Sequence, residues 1–190
     1  MGSVRRNLIR YSFQRINEHM AGTKLRNMAA EDVPEIMEIA ENCRLSRWSI
    51  TDYADELMRN DSVMIAAESG SKVSGFLVAR FVPSERSGFD AELYNIGVYQ
   101  EQQGLGTGTM LLEELIRRCR SKKIRSIWLE VRASNSSAIR FYLRHGFERA
   151  SIRPNFYSDP VEDAIAMRLV LTAGSIGMTK NALDKRGSFG

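Results

Sequence analysis

A glycine-rich turn between a strand-like segment and an amphipathic helix is the feature that most constrains this sequence. The apolar segment Tyr94–Val98 is followed by the turn Gln103–Gly108, which has glycine at positions 104, 106 and 108. Because glycine carries no side chain, backbone N–H groups and the positive end of the following helix, expected at residues 109–120, can converge on an anion. The turn therefore predicts either a phosphate site or only a tight strand-to-helix connection.

Two familiar kinds of phosphate site fit this turn poorly. A P-loop needs Gly-Lys-Ser/Thr after its glycines, and that triplet does not follow here. A dinucleotide site is favoured by Glu130, because an acid at the end of the next strand binds ribose in that fold. However, the third glycine of the G-x-G-x-x-G motif would fall at Thr109, and five residues separate Val98 from Gly104. Too few strand-helix-strand units follow for that fold.

The hydrophobic pattern predicts one α/β (α+β) domain of three layers. Apolar residues repeat at helical spacing after about Ala30 and again after Ser49, whose side chain suits a helix N-cap. The order of the elements favours a mixed, mostly antiparallel sheet of about six to seven strands, flanked by about four helices. The expected strands are residues 24–27, 62–68, 72–82, 91–98, 127–131, 147–153 and 163–171.

The two ends of the chain differ from its middle. Residues 1–23 carry four arginines against one glutamate. That composition would suit a short basic amphipathic helix, a targeting segment or an arm that contacts nucleic acid, but we favour a flexible extension. Residues 172–190 are rich in glycine and lack periodicity, which is typical of a flexible tail. We therefore expect a single domain at 24–171 between two flexible ends.

Composition limits the class of protein further. A net charge of +4 over 190 residues does not require a nucleic-acid partner. The sequence has neither an apolar run of about 20 residues for a membrane span nor the apolar centre of a secretory signal. Cys43 and Cys119 are the only cysteines and lack metal or redox spacing. We therefore expect reduced thiols, no metal, no membrane contact and a cytoplasmic location.

The glycine turn and the residues after it resemble the GNAT superfamily of N-acetyltransferases. With Gln103 in first position, the turn matches the Q/R-x-x-G-x-G/A motif of that superfamily. Residues 128–135, 138–139, 141–142 and 145–147 are similar to the branch that acetylates the N-terminal alanine of a ribosomal protein. The likeness continues at Arg153, Asn155, Phe156, Tyr157 and residues 162–164. The resemblance is close over about 94–171 and holds in outline over 24–93. It implies a GNAT-like three-layer fold with acetyl-CoA as cosubstrate and no metal.

The resemblance also implies roles for individual residues. Glu130 would be the general base that takes a proton from the acceptor amine, and Tyr142 the general acid for the leaving thiolate. Asn135 would cap the last helix and bind the coenzyme, and helical spacing places it on one face with Tyr142. The coenzyme-binding residues implied are Ile96, Gly97, Val98, Gln103, Gly104, Leu105, Gly106, Thr107, Gly108, Thr109 and Asn135.

The implied acceptor is a protein N-terminus, most simply that of a ribosomal protein. Its site would lie between the loops at 43–49 and 153–159 and would involve Trp48, Arg153, Phe156 and Tyr157. An α-amino group has a pKa of about 7.7–8.0, against about 10.4 for lysine, so a weak base suffices. The absence of a suitably placed cysteine or serine favours direct transfer.

The acceptor site also departs from the family pattern. Arg47 replaces a proline of the family, and Pro154 intrudes beside Arg153. Acetylation of a small amine or a lysine, and a non-catalytic acyl-CoA-binding module, stay open as alternatives.

Overall fold

The described part of the chain is one seven-stranded sheet with helices on both faces. The computed structural model describes residues 14–45, 48–84 and 88–171. The strands lie in the order β1-β2-β3-β4-β5-β7-β6. Only β4 and β5 are parallel neighbours, and the other adjacent pairs are antiparallel. The strands are β1 Thr23–Asn27, β2 Ser62–Ser69, β3 Lys72–Pro83, β4 Phe89–Val98, β5 Ser126–Arg132, β6 Glu148–Ser158 and β7 Val161–Val170. The mixed, mostly antiparallel sheet expected from the sequence is confirmed.

Five α-helices accompany the sheet in the described ranges. They are α1 at residues 14–22, α2 Val33–Asn42, α3 Ile50–Leu57, α4 Thr107–Ser121 and α5 Ser136–Arg144. Helix α3 begins at the cap expected for it, because Ser49 Oγ accepts a hydrogen bond of 3.1 Å from the Asp52 backbone N–H. Helix α4 begins at Thr107, two residues before the expected start at residue 109.

Two buried clusters fill the spaces on either side of the sheet. On one face, Leu111 and Leu115 of α4 and Ile139 of α5 pack against β4, β5 and β7. On the opposite face, Ile36 and Ile39 of α2 and Tyr53 of α3 pack against β2 and β3. Burial of these apolar side chains on both faces holds the three layers together.

The sheet opens at its centre, between β4 and β5. Their parallel register covers only Ala91–Leu93 opposite Ile127–Leu129. Directly after it, β4 has a bulge: Leu93 pairs with Ala79 of β3 and Asn95 with Val78, so that Tyr94 is an extra residue. A bulge bends its strand and increases the local twist. Beyond Leu93 and Leu129, the carboxyl halves of β4 and β5 are no longer paired with each other, and we call the opening between them the cleft.

The N-terminal segment contributes structure to the domain. Residues 14–22 of the extension at 1–23 form helix α1, which contacts the glycine turn through His19 and Met20. Residues 1–13 and the expected tail at 172–190 lie outside the described residues, so the domain boundaries stay a prediction. Within the described ranges, no helix has the length and apolarity to cross a membrane.

Candidate active site

The β4 edge of the cleft is a main-chain surface. Beyond Leu93 this edge has left the register with β5, whereas β4 stays paired with β3 as far as Val98. Gly97 lacks room for a side chain, because a Cβ there would lie 2.9 Å from Phe76 Cε1 and 3.0 Å from Ile39 Cγ2. Because β4 does not pair with β5 at residues 96–98, backbone groups on this edge of β4 can bind an extended ligand.

The glycine turn leads from the end of β4 into α4. Gly104 and Gly106 have φ angles of 75° and 98°, a region that side-chain-bearing residues rarely adopt. Gly106 directly precedes Thr107, the first residue of α4, and the first turn of this helix contains no acidic residue. The positive end of the helix dipole is therefore not neutralised by a neighbouring carboxylate, which favours an anionic ligand there.

The turn is fastened to the strand through one carbonyl. Gln103 Nε2 donates a hydrogen bond of 3.0 Å to the Val98 backbone oxygen. Cys43 Sγ donates to the same oxygen over 3.3 Å. Burial raises the pKa of the Cys43 thiol, so this side chain stays protonated. The Gln103 side chain thus sets the position of the turn relative to β4.

Asn135 directly precedes α5 and lies seven residues before Tyr142. Asn135 Oδ1 accepts a hydrogen bond of 3.1 Å from the Ala138 backbone N–H, so Asn135 is the helix cap. A second contact of 3.3 Å, from Ser137 Oγ, uses the same oxygen. Among the contacts of the described residues, the amide NH₂ group of Asn135 is left for a ligand.

Tyr142 is buried in an aromatic cluster. Its ring centroid lies 5.3 Å from that of Phe141 and 5.4 Å from that of Phe147. Burial raises the pKa of the phenol above its ordinary value, and interaction with Tyr157 raises it further. Because the raised pKa keeps the hydroxyl protonated at neutral pH, Tyr142 can act as a proton donor.

Glu130 lies on β5 beyond the stretch that pairs with β4. Arg153 Nη1 contacts Glu130 Oε1 at 2.8 Å, and the two side chains are 53% and 37% exposed. An ion pair this exposed is worth about 0–1 kcal/mol. The guanidinium therefore occupies the carboxylate weakly, and an incoming ammonium group can replace it.

Aromatic and cationic side chains line the cleft next to Glu130. The Arg153 guanidinium carbon lies 4.3 Å from the Phe156 ring centroid, and that of Arg132 lies 4.1 Å from the Tyr157 centroid. The Tyr157 hydroxyl donates to the Glu130 backbone oxygen over 3.3 Å. The register between β6 and β7 is interrupted between Arg153 and Tyr157. This interruption brings the three expected acceptor residues of β6 together beside Glu130.

Trp48 borders the cleft from its other side. Its ring centroid lies 5.3 Å from that of Tyr53 in α3 and 6.1 Å from that of Tyr94, the extra residue of the β4 bulge. Trp48 is therefore grouped with β4, whereas Arg153, Phe156 and Tyr157 are grouped with β5 and β6. The expected acceptor residues thus lie along both edges of the opening.

Several residues of the site were not found from the sequence. The bulge of β4 can be recognised in the sequence. Apolar residues stand two positions apart at Ala91 and Leu93 and again at Ile96 and Val98, but Leu93 and Ile96 are three positions apart. The contacts of Cys43, His19 and Met20 join segments far apart in the sequence and leave no pattern of this kind.

Asn95, the residue after the bulge, is 3% exposed, and its Nδ2 has no hydrogen-bond partner among the residues that the structure describes. The described residues contain no group of three or more His, Cys, Asp and Glu side chains arranged to hold a metal ion.

Comparison with known proteins places this geometry in a family. Residues 33–147 match the family described as acetyltransferase (GNAT) family. The chain is 33% identical over 148 residues to the [ribosomal protein bS18]-alanine N-acetyltransferase of Escherichia coli K12, a match that covers 77% of this chain and 96% of that enzyme. It is also 31% identical over 122 residues, 64% of this chain and 74% of the relative, to N-alpha-acetyltransferase RimI of Mycobacterium tuberculosis.

A crystal structure of the ribosomal-protein-S18-alanine N-acetyltransferase from E. coli superposes with a TM-score of 0.70 at 31% identity. It covers 82% of this chain and 99% of that one. The fold is also that of Arabidopsis thaliana NAA60 in complex with acetyl-CoA, with a TM-score of 0.72 at 20% identity over 78% of this chain and 98% of that one.

Proposed function

The chain belongs to the acetyltransferase (GNAT) family, and from this premise we propose that it transfers the acetyl group of acetyl-CoA to the α-amino group of a protein N-terminus. The observation that carries the proposal is the cleft between β4 and β5. It opens beyond Leu93 and Leu129, with the glycine turn at the end of one strand and Glu130 on the other. Such a cleft lets a thioester and an amine meet inside the sheet.

The coenzyme would be held by main-chain groups for most of its length. The backbone N–H groups of the turn at 103–109 and the positive end of α4 would bind the phosphates. The edge of β4 at Ile96, Gly97 and Val98, which does not pair with β5, would bind the extended arm, and the amide NH₂ group of Asn135 would add a side-chain contact. Neutral main-chain groups and a helix dipole are sufficient to bind the coenzyme, because the coenzyme is always the same molecule and the site does not have to select among different side chains.

Glu130 is the proposed general base. The amine must lose a proton before its nitrogen attacks the carbonyl carbon of the thioester, and a carboxylate can take that proton directly or through one water. An α-ammonium group loses its proton with a pKa of about 7.7–8.0, so the base has little work to do near neutral pH. The ammonium group would first replace Arg153 at Glu130, an exchange of one cation for another.

Tyr142 is the proposed general acid. After the nitrogen attacks, the carbon–sulfur bond breaks and the electron pair leaves on the coenzyme sulfur as a thiolate. The phenol of Tyr142 gives its proton to this sulfur. The second proton that the nitrogen loses on becoming an amide restores the phenol, directly or through water, and the proton taken by Glu130 returns to solvent. Burial raises the pKa of Tyr142, so the phenol is neutral before the thiolate forms.

Transfer is proposed to be direct, without an acetylated enzyme. Cys43 is the cysteine closest to the β4 end of the cleft in the described structure, and its thiol is hydrogen-bonded to Val98. Because burial raises the pKa of this thiol, it is poorly suited to act as a thiolate nucleophile.

The acceptor we propose is the N-terminal alanine of a ribosomal protein, modified in the cytoplasm. Support comes from the relatives whose names give bS18 alanine as their substrate. Trp48, Phe156 and Tyr157 would hold the first residues of the peptide along the two edges of the opening. A small first side chain suits an entrance lined by these rings.

Initial rates on a panel of peptides test the proposal. The peptides differ only in their first residue, and the panel includes an N-terminally blocked peptide with one internal lysine and a set of small primary amines. We expect the highest kcat/KM with alanine in first position. A preference for the lysine peptide or for a small amine would contradict the proposed acceptor, and no turnover with any amine would indicate a binding module.

A further inference from the structure

Helix α1 makes two contacts with the glycine turn, at consecutive residues. His19 Nε2 and Thr107 Oγ1 lie 2.9 Å apart, within hydrogen-bond distance. Met20 packs where Gly106 has no side chain: a Cβ at Gly106 would lie 2.9 Å from Met20 Sδ and 3.0 Å from its Cγ. Residues 14–22 precede the segment 33–147 that matches the family. Helix α1, which makes these contacts, therefore lies outside the segment that matches the family.

The two contacts involve the residues on which the shape of the turn depends. Gly106 has a φ of 98° and is the cap of α4, and Thr107 is the first residue of that helix. The Thr107 side chain is 1% exposed, so its hydroxyl needs a partner inside the protein. His19 is such a partner. The ring of His19 also lies near Thr23 Oγ1, at 3.4 Å, which ties α1 to the start of β1.

Two helices contact the turn and the start of α4. A Cβ at Gly108 would lie 3.7 Å from the ring of Phe141 in α5. Gly106 and Thr107 meet Met20 and His19 of α1. The conformation of the turn thus depends on contacts with both α5 and α1.

We infer that His19 and Met20 are positioning residues of the coenzyme site, which hold Gly106 and Thr107 in the conformation that binds the phosphates. This inference rests on the proposed use of acetyl-CoA. Pre-organised N–H groups bind an anion more tightly than mobile ones, because less conformational freedom is lost on binding. The N-terminal helix would accordingly set coenzyme affinity without touching the reacting atoms.

The test is calorimetric titration of the full-length chain with coenzyme A. We expect His19→Ala and Met20→Ala each to raise the Kd about 3- to 10-fold, the range given by loss of one net hydrogen bond or a comparable contact. Met20→Leu keeps the apolar volume and should bind like the unaltered chain. Asn17→Ala, at an exposed position of the same helix, is the matched control and should also bind normally.

Steady-state kinetics separate positioning from a general loss of stability. The KM for acetyl-CoA should rise in His19→Ala and Met20→Ala, while kcat and the KM for the peptide stay unchanged. Unchanged or tighter binding in both variants would overturn the inference, even if their melting temperatures fall. If the unaltered chain itself does not bind coenzyme A, the proposed function fails together with the inference.

Discussion

At the scale of single residues, Glu130 and Tyr142 are proposed to act on opposite sides of one thioester. Their environments differ in the way that acid and base roles require. Glu130 is partly exposed and paired with a cation, whereas Tyr142 is buried among rings and keeps its proton. The resemblance to the family suggested both roles, but the Arg153 contact could not be read from the sequence, because it depends on how β6 departs from its register with β7.

Replacement of Glu130 by glutamine should lower kcat/KM for the peptide about 10²- to 10⁴-fold, the usual contribution of a general base. The change keeps the size of the side chain but removes its ability to accept a proton from an ammonium group. Glu113→Gln removes the same charge from an exposed position of α4 and serves as the control. Equal rates for Glu130→Gln and the unaltered chain would exclude Glu130 as the base.

Replacement of Tyr142 by phenylalanine should lower kcat about 10²-fold with little change in the KM for acetyl-CoA. The ring contacts with Phe141 and Phe147 are retained, so the melting temperature should stay close to that of the unaltered chain. The measurement is kcat at saturating coenzyme and peptide. Full turnover by a stable variant would show that another group, such as water, protonates the thiolate.

At the scale of elements, the caps were the most predictable features and the cleft the least. Ser49 and Asn135 were identified as caps from the sequence and make the expected hydrogen bonds, because capping depends on residues only three positions apart. The opening between β4 and β5 depends on pairing across three strands. In the sequence, this opening is indicated only by the spacing of Leu93 and Ile96, which stand three positions apart in an apolar pattern that otherwise repeats every two.

The close packing of β3 against the glycine turn gives a test at this scale. A Cβ at Gly75 would lie 2.8 Å from the Gly97 backbone oxygen and 3.2 Å from Thr107 Cγ2. Because a backbone atom cannot move aside cheaply, Gly75→Ala should reduce the free energy of unfolding by about 1–3 kcal/mol. Urea denaturation measures the change.

Gly108→Ala is the matched variant for that experiment. A Cβ at this position in α4 would meet its nearest atoms at 3.7 Å, an ordinary contact distance. Alanine is favoured over glycine in a helix by about 0.5–1 kcal/mol, so stability should stay the same or rise. Equal stability of the two alanine variants would contradict the packing described for Gly75.

At the scale of the whole molecule, local patterns predicted the elements but not all of their neighbours. The insertion of β7 between β5 and β6 joins segments that are distant in the sequence. The docking of α1 on α4 is a similar case. The sequence showed that the N-terminal segment could form a helix, but its contact with Thr107 spans 88 residues, and no periodicity within either segment records it.

Alkaline unfolding should report on buried tyrosines across the domain. Burial raises the pKa of Tyr53 to about 12. Because the pKa of Tyr53 is higher in the folded than in the unfolded chain, the stability contributed by the neutral phenol is fully present below the unfolded-state pKa of about 10. It is then lost as the pH rises towards 12. The melting temperature should therefore fall over this range.

Tyr53→Phe should reduce the alkaline loss and should not lower stability at neutral pH. The Tyr53 hydroxyl is buried and has no hydrogen-bond partner within the described ranges, so its removal relieves a desolvation penalty of about 1 kcal/mol or more. Melting curves of both proteins between pH 7 and about 12 provide the measurement. An identical fall in the two proteins would mean that Tyr53 does not contribute to it.

The position of the acetyl group on a peptide with two amines distinguishes N-terminal from lysine acetylation. The peptide begins with alanine and carries one internal lysine, and tandem mass spectrometry after incubation with acetyl-CoA locates the modification. We expect a single acetyl group, on the α-amino nitrogen of the alanine. Acetylation of the lysine in preference to the α-amino group, or no acetylation at all, would contradict the proposed function.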